Sequence, residues 1–211
     1  MVKTIYLMRH GESEDNVVDD NALKGSSALL TERGREQARF VARRCAELDI
    51  DVVIGSTYPR AKETADIINE RIKKPIEYTD IFVERMNPSE WYGKKKEGAK
   101  RLHALDSSLH ISGFQHSDEE TAEELLARTE KALKYLEDRP ESNILLVSHA
   151  MFLRAFMARI LFREDVTIRE IAQCVRVMKL ANTGLSILQH NQDDPYGPWR
   201  LVCWNDHAHL G

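Results

Sequence analysis

Two histidines, two arginines and one glutamate carry the chemistry for which this sequence can be read. Arg9 and His10 follow the apolar run Ile5, Tyr6, Leu7, Met8 and precede Gly11 and Glu12. An unbroken apolar run of that length reads as a strand buried on both faces, and the glycine ends it. His149 follows Ser148 at the end of Ile144, Leu145, Leu146, Val147, the strongest strand signal in the chain. Arg60 comes directly after Pro59, in the first turn of a helix that follows the apolar Val52, Val53, Ile54. A cation there opposes the helix dipole, which suggests that it is held for an anion. Glu84 follows Ile81, Phe82, Val83, which read as a third short strand.

Right-handed crossovers in a parallel sheet bring such strand ends into one crevice. The five side chains would then share a pocket suited to phosphoryl transfer without a metal or organic cofactor. Guanidinium forks grip phosphate oxygens and neutralise charge in the transition state. A neutral imidazole nitrogen can attack phosphorus, and the phosphohistidine so formed divides one slow displacement into two faster ones. A carboxylic acid at Glu84 would protonate the departing alkoxide and later take a proton from water. His149 would add a donor or positive charge to the transferring group. His10 must be neutral at its attacking nitrogen, a state fixed if the other nitrogen bonds a backbone carbonyl. Arg9 to Glu12 alone fit a polar strand-end turn equally well, and one buried histidine fits a hydrogen-bonded core group. The coincidence of all five favours the functional reading.

The elements that must position these groups follow in order. Residues 13–30 are polar and read as a long loop. Thr31 is an N-cap candidate for a helix with the stripe Ala38, Val41, Ala42, Cys45, Leu48. The helix behind Pro59 turns Ala61, Thr64, Ala65, Ile68 and Ile72 inward, and Ala122 to Leu136 carry a third amphipathic stripe that stops near Pro140. Residues 85–117 lose periodicity and read as an insertion over the site. A helix after His149 would bury Phe152, Leu153, Phe156, Met157, Ile160 and Leu161, and another runs through Ile168 and Val175. Leu185 to Leu188 and Arg200 to Trp204 read as a late hairpin or sheet edge.

Composition narrows the class. A chain of 211 residues with 42% hydrophobic and 30% charged residues fits one globular domain, residues 1–211. The formal net charge of -4 gives no reason to expect nucleic acid as the partner. Cys45, Cys174 and Cys203 are widely spaced and unpaired in pattern, so reduced thiols in a cytoplasmic protein are expected. Neither a leader nor a membrane span is read from the sequence. Oligomeric state is left open.

These motifs together resemble the histidine phosphatase superfamily, the phosphoglycerate mutase-like branch 1. The resemblance rests on Arg9, His10, Gly11, Glu12, Ser13 and Asn16; on Leu30, Thr31, Gly34 and Gln37; on Ser56, Arg60, Ala61, Thr64 and Ala65; on Glu84; on Ser148 and His149; and on Asn182, Thr183 and Gly184. It implies a three-layer α/β/α sandwich with a mostly parallel sheet and one antiparallel edge strand. It implies His10 as the phosphorylated nucleophile, Arg9, Arg60 and His149 as the phosphate pocket, Glu84 as proton donor, and Ser13 and Asn16 as further phosphate or substrate contacts. The expected substrate is a small phosphorylated metabolite or a phosphoprotein. The mutases carry Glu-Arg-His-Tyr-Gly where this chain has Glu84, Arg85, Met86, Asn87, Pro88, and the loop around Asp15 is acidic. Both departures favour a phosphatase over a mutase; a mutase and a catalytically inactive phospho-ligand scaffold remain as alternatives.

Other signatures are weaker. Asp49 and Asp51 match an Asp-x-Asp pattern but precede their strand instead of following it. His207 and His209 read as solvated rather than as a metal pair. Lys94 to Lys96 read as a wet surface run.

Overall fold

A computed structural model of the chain describes residues 2–17, 23–93 and 113–210. Among them the order is β1 (Lys3–Arg9), α1 (Glu32–Cys45), β2 (Val52–Ser56), α2 (Pro59–Ile72), β3 (Ile76–Thr79), α3 (Ala122–Glu137), β4 (Asn143–Ser148), α4 (Ala150–Phe162), α5 (Ile168–Val177), β5 (Leu185–His190) and β6 (Trp199–Asp206). The strands form one sheet in the order β3-β2-β4-β1-β5-β6. β1, β2, β3 and β4 pair in parallel. The expected antiparallel edge is a pair of strands: β5 runs against β1, and β6 closes that edge antiparallel to β5.

The apolar runs that mark β1, β2 and β4 are buried on both faces, and their alternation sorts side chains into two cores. Ile5, Leu7, Val52, Ile54, Ile144 and Leu146 pack with α3, α4 and α5. Tyr6, Met8, Val53, Leu145 and Val147 pack with α1 and α2 on the other side. This is the three-layer α/β/α arrangement. The helix starts follow local chemistry. Thr31 accepts from the Gly34 N–H at 3.0 Å, Pro59 opens α2, and Thr121 with Glu124 and Thr167 with Glu170 close capping boxes. No described helix is long and apolar enough to cross a membrane. Cys45, Cys174 and Cys203 are unpaired.

Three sequence expectations change. Ile81 to Val83 is not a strand: the third strand is Ile76–Thr79, and Asp80–Phe82 form a 3-10 turn that Thr79 caps by accepting from the Ile81 N–H. The apolarity of the segment comes from Phe82, which plugs the core edge-on against Tyr135 and Phe152 at ring distances of 5.6 and 5.9 Å. A buried turn and a short strand share the same composition. Leu161, expected inward, is exposed. At about 100° per residue it lies opposite the arc occupied by Phe152, Ala155 and Phe156. Leu48 packs from the turn beyond α1, which ends at Cys45.

Of the expected insertion over 85–117, residues 94–112 lie outside the described residues, as do 18–22 of the expected loop over 13–30. The described flanks of the two meet, with Leu23 bridging Tyr92 and its carbonyl accepting the Gly93 N–H at 2.9 Å.

Candidate active site

Strand register assembles the site. Arg9 stands opposite Ser148 in the β1–β4 ladder, and the His10 N–H continues that ladder onto the Ser148 carbonyl at 2.9 Å. His10 and His149, the next residue on each strand, therefore leave adjacent strand ends, and their ring centroids lie 5.1 Å apart. β2 pairs with the other side of β4, so Ser56 ends beside them and its hydroxyl lies 2.8 Å from His149 Nε2. Both imidazoles are buried.

The His10 ring is oriented by two contacts. Its Nδ1 lies 2.6 Å from the Gly11 carbonyl, and the Arg60 Nε–H donates to its Nε2 at 3.2 Å. A carbonyl only accepts and a guanidinium only donates, so Nδ1 carries the proton and Nε2 the lone pair. Burial holds the pKa of His10 well below the ordinary histidine range, and the charges of Arg60 and Arg9 push the same way, with the Gly11 bond opposing. His149 is lowered likewise, first by burial and then by Arg60 and His10. Its Nδ1 is buried without a hydrogen-bond partner among the described residues. At neutral pH both rings are uncharged.

The arginines flank this pair. Arg60 donates from Nη1 to the Gly25 carbonyl at 2.7 Å and stacks over the Tyr58 ring at 5.3 Å. Arg9 donates from Nη1 to the Leu180 carbonyl at 2.8 Å, while its Nε is buried with no partner among the described residues. Burial lowers the pKa of Arg9 to about 10, against the opposing pull of Glu84. Arg60 is lowered by the same cause and opposed by the same carboxylate. Both remain cations, and a buried Arg60 and a half-buried Arg9 beside a neutral imidazole are chemically suited to an anion.

Glu84 joins them by a route that the sequence did not indicate. It sits past the 3-10 turn rather than at a strand end, and its carboxyl accepts from the N–H groups of Phe152 and Met151, at 2.9 and 3.2 Å, in the first turn of α4. The α4 N-cap is His149. One helix terminus therefore carries the second imidazole and anchors the carboxyl. Ser148 Oγ donates to the Phe82 carbonyl at 2.7 Å, and Arg128 donates from Nη1 to the Ile81 and Val83 carbonyls at 3.0 and 2.7 Å while pairing with Glu120.

Ser13 and Asn16 are brought to the rim of the site but bond chiefly to each other. Asn16 Oδ1 accepts from the Ser13 N–H and Oγ at 3.1 Å and from Asn182 Nδ2 at 3.1 Å. Asn182 also donates to the His10 carbonyl at 3.0 Å. The acidic loop folds on itself: Asp15 accepts the N–H groups of Lys24 and Gly25 at 2.8 and 2.9 Å, which presents the Gly25 carbonyl to Arg60. Gly11 and Gly34 allow α1 to press on the strand end. A Cβ on Gly11 would come within 2.5 Å of the Gly34 carbonyl oxygen, and one on Gly34 would overlap the Glu12 carbonyl outright.

Three supporting residues, Tyr58, Arg128 and His209, escaped sequence reading, and a fourth, Thr183, was marked there only by the family resemblance. Tyr58 stands edge-on to His149, with ring centroids 5.3 Å apart. Arg128 borders the buried stripe of α3, where a charged residue is a signal of a committed partner. Thr183 holds a left-handed backbone, φ 55°, and donates its N–H to the Arg9 and His10 carbonyls at 3.0 and 3.3 Å. Its hydroxyl donates to the Asn182 carbonyl and accepts from His209 Nε2 at 2.9 Å, so His209 is a bonded support of the segment after β1 rather than a solvated side chain.

Comparison with known proteins gives the family. The phosphatase PhoE of Bacillus subtilis, described as uncharacterized, is 26% identical over 208 residues, covering 98% of this chain and 96% of its own. A probable phosphoglycerate mutase, GpmB, of Photorhabdus laumondii is 31% identical over 209 residues, covering 95% and 89%. Among solved structures, Bacillus stearothermophilus YhfR superposes with a TM-score of 0.81 at 24% identity, covering 99% of this chain and 100% of that one. The histidine phosphatase superfamily (branch 1) matches residues 5–207, and the chain belongs to that family.

Proposed function

We propose that the chain is a phosphomonoester hydrolase acting through a phosphohistidine at His10 Nε2. The observation that carries this reading is the fixed tautomer: Nδ1–H bonds Gly11, and the Nε2 lone pair faces the cationic pocket. In the first step Nε2 attacks phosphorus, the P–N bond forms, the P–O ester bond breaks, and a Glu84 carboxyl proton passes to the departing alkoxide. In the second, water attacks phosphorus and gives its proton to Glu84, the P–N bond breaks, and phosphate leaves. Arg9 and Arg60 hold the equatorial oxygens throughout, and His149 donates to them. Arg60 Nε, on the nucleophile in the resting site, would transfer its hydrogen bond to a phosphoryl oxygen without travelling far. The guanidinium groups supply the charge a metal would otherwise bring, so turnover is expected to survive chelation. The machinery lies within one domain, in keeping with a family match that spans nearly the whole chain.

The names of relatives support a phosphatase and leave a second reading, since one at 31% identity is named a probable phosphoglycerate mutase. The test is direct. Purified protein given a phosphorus-32-labelled phosphomonoester in the presence of EDTA should release phosphate and, after rapid quenching, carry an acid-labile, base-stable label. His10→Asn should abolish the label; a labelled His10→Asn protein would overturn the assignment. Incubation with phosphoglycerate and a bisphosphoglycerate primer should give phosphate release rather than isomerisation.

A further inference from the structure

Resting on that reading, we infer that the cleft beside Glu84 receives the alcohol portion of the substrate and selects one with an apolar body that is neutral or cationic rather than anionic. The cleft measures about 610 Å³, a size typical of small-molecule sites, and runs between the 80–86 segment and α3. It borders the reacting centre: Tyr58, which contacts the His149 ring and lies under Arg60, lines it together with Glu84. In-line displacement puts the leaving oxygen on the side of phosphorus away from His10 Nε2. The group that protonates that oxygen is Glu84, so the rest of the alcohol extends past Glu84 into this space.

The walls define what fits. Ile81, Val83, Ala127 and Met86 make them largely apolar, and Met86, at the mouth, is 45% exposed, a large apolar side chain that an occupant would cover. Most of its charged groups are already engaged. Arg128 binds Glu120 and two carbonyls, Asp80 accepts from Thr57, and Glu124 completes the capping box of α3. Among the described residues Lys131 is the one cleft cation without an ion pair, and it is exposed, where solvent screens it. With Glu84 carrying the proton that it donates, three carboxylates among the described lining residues, Asp80, Glu120 and Glu124, stand against the two cations Arg128 and Lys131. Among the described residues a second phosphate or a carboxylate on the alcohol would find no uncommitted buried guanidinium and would meet net negative charge.

Three benzyl phosphates bearing para-methyl, para-aminomethyl and para-carboxy groups, together with their non-hydrolysable phosphonate analogues, separate the possibilities. The expected kcat/KM for the carboxylated ester is lower than for the other two by about fivefold, the scale of one surface charge near the ligand. Calorimetric binding of the phosphonates should follow the same order. Glu124→Gln, which keeps a capping side chain at that position, should narrow the gap. Equal or better use of the carboxylated compounds, in turnover or in phosphonate binding, overturns the cleft assignment. Failure to hydrolyse any ester with the phosphonate order intact would remove the phosphatase reading and leave the cleft assignment standing.

Discussion

Acid should destabilise this protein more steeply than its carboxylates alone would cause, because two imidazoles are buried uncharged at its centre. His10 and His149 both have folded-state pKa values well below the ordinary histidine value of 6.5. Below about pH 6.5 the unfolded chain binds a proton on each ring that the folded chain does not. Their contribution to stability is therefore fully present above that pH and is lost as the pH falls toward the folded values. The limiting slope is about 1.4 kcal/mol per pH unit for each ring, about 2.7 for the pair. Between pH 8 and 5 the pair would remove at most about 4 kcal/mol, the limit reached when neither folded ring takes up a proton, against the 5–15 kcal/mol typical of a domain. His190 and His209 are lowered too, chiefly by burial, and add with the same sign. The diagnostic is thus a difference: urea denaturation at half-unit pH steps for wild type and for His149→Gln, whose amide can still reach Ser56. The variant should lose about half of the pair's slope below pH 6. Parallel curves for the two proteins would show that His149 titrates normally in the folded state and would refute the argument.

Other expectations are more local. Gly34→Ala forces a methyl group into the Glu12 carbonyl and should cost about 3 kcal/mol, read as a fall in Tm, with any residual folded protein slower in turnover because Glu12 lies two residues from His10. Ser148→Ala leaves the Phe82 carbonyl without its buried donor and should cost about 1–3 kcal/mol in denaturant melts. The same change loosens the segment carrying Glu84, so kcat should fall more than the affinity for phosphate. His209→Ala should lower kcat several-fold with little change in KM, and His209→Gln, which can donate to Thr183 from nearly the same place, should recover most of it; loss of KM instead would mean that the C-terminal turn contacts substrate.

The parts legible in the sequence were those where one-dimensional pattern and three-dimensional environment coincide. β1, β2 and β4 are central parallel strands, and their unbroken apolar runs announced both the strands and the residues at their ends. β3 is a half-buried edge strand of mixed polarity, Ile76–Thr79, and was hidden behind the more apolar turn that follows. Glu84 was found for its place after an apolar run, yet it reaches the site through the first turn of a helix 68 residues away along the chain. Tyr58, Arg128 and His209 gain their positions only from tertiary contacts. Nothing in their neighbours' sequence pattern distinguishes Tyr58 from an ordinary helix-flanking aromatic, or His209 from a terminal histidine in solvent.

The alignment of β1 with β4 has a consequence for how sequences of this kind can change length. Because facing side chains alternate along each strand, removing one residue within β1 would shift the rest of the strand by one position, so that either the core residues before the deletion or His10 after it would face the wrong side. Changes of length are then better tolerated in the connecting segments, which leave the β1–β4 register and the two histidines at its end undisturbed.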